Sequence, residues 1–196
     1  VLRHDRHGRS GLERLPALSI PHVHIRADMD EAELDYLVER FNAEAFNIHP
    51  RDSTHPYTDL PERHKARCFV ENVEEPPSND EFEGLGGLCP DFSHWANALA
   101  FGRNYHDSAM RSLAAELPIG CCHLSALRLG VPNAWQGEYD HHEYATLDDL
   151  RYLADYAAFM PARWASLELE NSLEEQLRAR EFLERLIPGA AAVSRP

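Results

Sequence analysis

Gly86-Gly87-Leu88-Cys89-Pro90-Asp91-Phe92-Ser93-His94 is the stretch that decides how this chain is read. It is a short apolar run that ends in a carboxylate, with an imidazole three residues further on. The pattern predicts a buried strand whose C-terminal end carries Asp91 and His94, at the point where the chain turns into a helix. In a parallel α/β barrel that edge of the sheet holds the chemistry. One hard oxygen donor beside one borderline nitrogen donor suits zinc, manganese or iron. Asp-x-x-His alone is a weak signal, so its meaning depends on what the other strands place at the same edge.

Five more runs read as strands: residues 19–25, 45–49, 67–71, 119–123 and 164–170. They are continuously apolar and not alternating, as expected of strands buried on both faces. Helical patterns separate them. One begins at Asp30, with Leu34, Leu37, Val38 and Phe41 on a single face. A short one lies near residues 61–65 and another spans about 104–116. Thr146 caps a fourth, with Asp148 and Asp149 in its first turn and Leu150, Leu153, Ala154 and Ala157 facing inward. Ser172 caps the last, with Glu175 completing a capping box and Leu173, Leu177, Phe182, Leu183, Leu186 and Ile187 as its apolar set. Strands alternating with helices define an α/β fold with a parallel sheet. There is no Gly-x-Gly-x-x-Gly and no P-loop, so nucleotide folds lose their main support.

A chain of 196 residues predicts one domain. Residues 19–190 are assigned to it, and the polar residues 1–18, with Arg3, Arg6, Arg9 and Arg14, read as an N-terminal arm or remnant. The net charge of −14 repels phosphate backbones and argues against a nucleic-acid partner. No apolar run approaches the ~20 residues that span a bilayer. Cys68, Cys89, Cys121 and Cys122 sit in apolar runs without a Cys-x-x-Cys pair, which predicts reduced core thiols in a cytoplasmic protein.

Twelve histidines are many for this length, and several fall at strand ends. Strand one ends near His22 and His24, strand two at His49 and strand three at Glu71. Strand four gives Asp91 and His94, and strand five gives His123. The loop after it holds Asp140 and His142, and strand six carries Glu168 and Glu170. One such residue is ordinary, but six strand ends in agreement predict a catalytic metal site for Mn, Fe, Co or Zn. His4, His7, His55, His64 and His106 have no place in this scheme and read as surface residues. Trp95, Trp135 and Trp164 read as core or pocket-lining aromatics, with Trp135 placed to cover a substrate.

Phe69-Val70-Glu71-Asn72, Asp91-Phe92-Ser93-His94, His123-Leu124-Ser125, Asp140-His141-His142 and Leu167-Glu168-Leu169-Glu170 resemble the successive strand-end motifs of the xylose-isomerase-like TIM-barrel superfamily. The resemblance covers about residues 20–187. It implies a (β/α) barrel, here short, with six βα units recognised and two at the N-terminus missing or replaced. It further implies that Glu71, Asp91, His123 and the last-strand Glu form a single-metal site, with the first and last Glu also acting as the acid/base pair. Glu170 is preferred for the last position because it lies nearer the rim. Glu168 has the same pleat parity and stays open. His49, His94, Asp140 and His142 resemble the further ligands of the endonuclease branch, and His24, His94 and Trp135 are expected to contact substrate. Ala126 stands where the family often has Asp, and Pro90 removes a ladder donor from a central strand.

The function expected on this basis is metal-dependent isomerisation or epimerisation of a sugar or polyol-like small molecule. Proton transfer by Glu71 and Glu170 would take place beside a polarised carbonyl. The alternatives are a metal-cluster hydrolase acting on phosphoesters and a degenerate, non-catalytic barrel. A homodimer is expected to cover the edges that six strands leave open.

Overall fold

The computed structural model describes residues 18–51, 53, 60–134 and 137–188. The N-terminal arm up to residue 17, His4, His7, His55 and Trp135 lie outside the described residues. Four strands, β1 (His22–His24), β2 (Ala45–Ile48), β3 (Cys68–Glu71) and β4 (Gly87–Cys89), form a parallel sheet in that order. A second parallel pair joins β5 (Cys121–Leu124) to a strand at Trp164–Leu167. Single parallel bridges at Leu88–Ile119 and Asp91–His123 link the sheet to the pair. A short antiparallel ladder, β6 (Ala126–Leu127) with β7 (Asp140–His141), was not expected from the sequence; the strand at Trp164–Leu167 is therefore β8. The architecture is mixed α/β, and its six parallel strands lie at the six apolar runs.

The helices form where capping chemistry and apolar spacing coincide. Asp30 and Glu33 exchange side-chain-to-backbone hydrogen bonds of 3.0 and 3.2 Å at the start of α1 (Glu31–Phe41). Asn42, with φ of 55°, ends it in the left-handed region that Asn tolerates. Helix α2 (Phe92–Ala100) follows β4 directly, and α3 (Asn104–Glu116) matches the expected span. The segment Leu147–Phe159 is a 3₁₀ helix, not an α-helix. With three residues per turn it buries Leu150, Leu153 and Tyr156 and leaves Ala154 and Ala157 exposed. In α4 (Leu173–Leu186) the buried stripe is Ala179, Leu183 and, just past the helix, Ile187. At 3.6 residues per turn Leu177 lies roughly 160° around from Ala179, so Leu173 and Leu177 face solvent, contrary to the expectation.

The strands are apolar on both faces because two cores flank them. Phe46, Val70, Leu88 and Cys122 pack on the helix side with Leu34, Trp95, Met110 and Leu153. On the opposite face Ala45, Cys89 and Cys121 cluster with Phe69 and Trp164. Side chains alternate along a strand. Two residues further on, each strand therefore turns its next side chain to this inner face: Asn47, Glu71, Asp91, His123 and Ser166. Gly120 makes room for the inner layer, since a Cβ there would sit 2.0 Å from Cζ of Phe69. Among the described residues no backbone pairing joins β1 to β8, but His22 Nδ1 and Ser166 Oγ meet between them at 2.7 Å.

Two histidines assigned to the surface are buried. His64 Nε2 contacts Asp35 Oδ1 at 2.9 Å, an interaction that sequence spacing of this length does not reveal. His106 is fully buried in α3, and both its ring nitrogens lack a hydrogen-bond partner among the described residues. No helix among the described residues is long and apolar enough to cross a membrane.

Gly120→Ala is expected to lower stability by about 1–3 kcal/mol through overpacking. Phe69→Leu should recover part of that loss, and urea unfolding of the two single variants and the double variant measures the coupling. Burial, with Arg103 adding to it, holds His106 down at about 4 against an ordinary 6.5. The unfolded chain therefore binds the extra proton first as pH falls. His106 contributes its full stabilisation above pH 6.5 and loses it between there and about pH 4, up to about 3 kcal/mol. Comparing wild-type and His106→Gln unfolding at pH 7 and pH 4.5 should show the steeper acid loss in the wild type.

Candidate metal centre

Ligand atoms from Glu71, Asp91, His123 and Glu168 all lie within 4.8 Å of one another. Each comes from the C-terminal end of a parallel strand, which is why residues up to 97 positions apart in sequence meet (Glu71 to Glu168). His123 Nδ1 is the hub, at 3.2 Å from Glu71 Oε1 and 3.2 Å from Glu168 Oε2. Burial opposes charge on this imidazole, but Glu71 and Glu168 outweigh it and hold its pKa well above the ordinary value. Burial likewise opposes the two carboxylates. His123 overcomes it and draws Glu71 below the ordinary range and Glu168 down to about 2.

Asp91 is built differently. It caps α2, and its Oδ1 accepts from Ser93 N and Ser93 Oγ, both at 2.7 Å, and from His94 N at 3.2 Å. Its Oδ2 is buried with no hydrogen-bond partner among the described residues. Burial raises the Asp91 pKa despite nearby His94, and Glu168 and Glu71 add to the rise. Pro90 is accommodated because β4 ends at Cys89 and the Asn72 side chain takes over the pairing. Asn72 Nδ2 donates to Asp91 O at 3.0 Å, and Asp91 N donates to Asn72 Oδ1 at 2.9 Å. Three carboxylates crowd round one imidazole, and the raised Asp91 pKa is one consequence of that crowding of negative charge. A divalent cation, taken up with loss of the His123 proton, is the species that this donor set and the unpartnered Oδ2 fit.

The structure separates the remaining candidates. Glu168 takes the inward position at the end of β8, where its N donates to Leu124 O at 3.0 Å. Glu170, preferred from the sequence, is exposed, because the chain has by then turned away and Glu170 N donates to His142 O at 2.6 Å. His94 Nδ1 lies 3.4 Å from Asp140 Oδ2, and its Nε2 is 4.0 Å from Asp91 Oδ2. Burial opposes charge on His94, but Asp91 and Asp140 raise its pKa. His24 Nδ1 is 3.7 Å from Glu71 Oε2, and its ring stacks 5.7 Å from that of His123 and meets that of His49 edge-on at 4.6 Å. Burial holds His24 down at about 4, so it is neutral at pH 7. His142 is exposed, and His141 Nε2 turns away to Val131 O at 2.8 Å. Ala126 pairs with His141 inside the β6–β7 ladder.

Asn47, which the sequence reading passed over, completes the site together with His22. Asn47 is fully buried, and its Nδ2 donates to Glu71 Oε2 at 2.5 Å. His22 Nε2 donates to Asn47 Oδ1 at 3.0 Å, which leaves Nδ1 to accept from Ser166. A lone polar residue inside Ala-Phe-Asn-Ile was the available signal for Asn47. Glu138, clamped by Asn97 and by Arg103 at 2.8 Å, ties the segment before Asp140 to α2 and α3.

No family model matches the sequence, and no curated protein matches it.

Asp91→Asn should keep the α2 cap, since Asn caps as well as Asp. Stability is expected to change by less than about 1 kcal/mol or to rise, because an unpartnered buried charge is removed, while metal binding is lost. Asn72→Ala should instead cost about 1–3 kcal/mol, since it strands the buried Asp91 N–H, while Asp91 O keeps its bond from Trp95 N. Thermal unfolding with metal titration separates the two outcomes.

Proposed function

We propose that the chain is a short (β/α) barrel of the xylose-isomerase-like type and a metal-dependent isomerase or epimerase of a sugar or polyol-like small molecule. One observation carries this reading: four convergent strand ends put Glu71, Asp91, His123 and Glu168 together, with a buried Asp91 oxygen left over for a cation. The barrel reading is supported by six parallel strands in the order β1-β2-β3-β4-β5-β8, by a separate inner layer of side chains, and by the contact of His22 with Ser166 across the open seam.

Glu71, Asp91, His123 and Glu168 would hold the cation, with Mn, Fe, Co and Zn all compatible with three carboxylates and one imidazole. When bound, it would polarise the carbonyl and hydroxyl oxygens of the substrate. Glu71 and Glu168 flank His123, and each offers a carboxylate oxygen that can take a proton from a carbon beside a carbonyl and return it. This assigns to Glu168 the role that the sequence gave to Glu170. The Asn47 amide holds Glu71 Oε2 and fixes the orientation of its carboxylate. Neutral His24 and the His94–Asp140 pair would hydrogen-bond substrate hydroxyls. A hydrolase holding two or more metals is the second reading, favoured by the placing of His94 and Asp140 next to Asp91.

Elemental analysis of the purified full chain tests both. About one Mn, Fe, Co or Zn per chain is expected to depend on this cluster: it is lost in Glu71→Gln, His123→Ala and Glu168→Gln and kept in Glu170→Gln. Metal-dependent interconversion of keto-sugar epimers should follow, with kcat falling at least about 100-fold in Glu168→Gln and little changed in Glu170→Gln. Two or three metals per chain that depend on the cluster, with phosphoester cleavage, would replace this reading with the hydrolase. No bound metal after reconstitution would defeat both.

A further inference from the structure

Directly beneath the carboxylate cluster, on the same inner face, lie Cys89, Cys121 and His22. The two sulfurs and a His22 ring nitrogen all lie within 4.8 Å of one another. We propose that His22, Cys89 and Cys121 form a second metal site, soft where the upper one is hard, that takes zinc or a similarly thiophilic cation. Two thiolates and one imidazole are a donor set for zinc and leave the fourth position to water or another ligand. Sulfur at about 2.3 Å and nitrogen at about 2.0 Å would need the three atoms to close by only about 1 Å.

Three features set this trio apart from ordinary core cysteines. Cys122 packs in the large apolar core on the helix side, and Cys68 donates to His64 O at 3.2 Å. Cys89 and Cys121 instead form the small inner cluster with Ala45, and both are fully buried there. Next, the His22 ring is already oriented: Asn47 Oδ1 accepts from Nε2 at 3.0 Å and Ser166 meets Nδ1 at 2.7 Å. Giving up one of these contacts frees a nitrogen for the cation, while the other continues to aim the ring. Last, the His22 edge of the trio borders a cavity. A cavity of about 170 Å³ between β1 and β8, lined by Pro21, Arg163, Trp164, Ala165 and Ser166, reaches His22.

The charges balance on binding. Each thiol releases its proton to solvent, the two thiolates bond the cation, and their two negative charges meet its two positive ones. The upper cluster contains no sulfur, so the two sites differ in the metals they favour and in their spectra. Neither site depends on the other being correctly assigned.

Cobalt(II) added to the reduced, metal-free full chain is the test. An intense near-ultraviolet thiolate-to-cobalt band is expected, and in Glu71→Gln, where the upper site is lost, it should saturate at about one cobalt per chain. It should survive Glu71→Gln, His123→Ala, Cys68→Ser and Cys122→Ser, and vanish in Cys89→Ser and Cys121→Ser. Because a buried serine can unfold the chain, the wild type also carries an independent readout. With cadmium-113 bound, one resonance should be shifted far downfield, as thiolate ligation requires. Absence of both the band and the downfield resonance overturns the proposal. So does a band that persists without Cys89 and Cys121. Loss of the upper site in Glu71→Gln with the band intact would separate failure of the isomerase reading from failure of this one.

Discussion

The imidazole of His123, held at 3.2 Å from both Glu71 and Glu168, is the interaction on which the inner face depends. Two buried carboxylates side by side repel each other, and each costs several kcal/mol to desolvate. The imidazole between them offsets part of that cost. It also fixes the distance between β3 and β8, two strands that share no hydrogen bond in the sheet order. Asp91 lies outside this balance, with one oxygen held by the α2 N-terminus and the other buried without a hydrogen-bond partner among the described residues, 4.0 Å from His94 Nε2. This surplus of carboxylates is what a bound cation would relieve.

The backbone makes that surplus possible. Parallel strands put all their C-terminal ends at one edge, and alternation puts every second side chain on one face. The inner face is therefore layered: a small apolar and sulfur-bearing layer with Ala45, Phe69, Cys89, Cys121 and Trp164, then a polar layer two residues further along each strand. The lower layer is tight enough that Gly120 tolerates no Cβ. That tightness holds the strand ends in register and so holds the ligands. Asn72 serves the same end, because its side chain replaces the ladder contacts that are interrupted where Pro90 precedes Asp91.

Much of this was legible in the chain. All six parallel strands, the cap of α1, the span of α3 and the capping box of α4 follow from apolar runs and local hydrogen-bonding chemistry. Glu71, Asp91 and His123 could be named because a charged or imidazole side chain at the end of an apolar run is conspicuous. Other features were not local. Whether Glu168 or Glu170 faces inward depends on where β8 stops, and parity treats the two alike. The burial of His106 and His64 depends on what packs over α3 and on Asp35, far away in sequence. The 3₁₀ geometry of Leu147–Phe159 shifts the inward positions by about one over two turns, from Ala157 to Tyr156, and its apolar residues fit either period at the start.

By itself the sequence determined the alternation of strands and helices, the two-sided burial of the strands and the identity of most strand-end donors. These are properties of single segments, and single segments carry their own periodicity. Only the tertiary structure decided which donors meet. It brought Glu168 to His123 and left Glu170 in solvent, recruited Asn47 and Asn72, and set His22 beside Cys89 and Cys121. Convergence of side chains from different strands depends on register and on where each strand ends. Those are fixed by packing between segments, which no local pattern records.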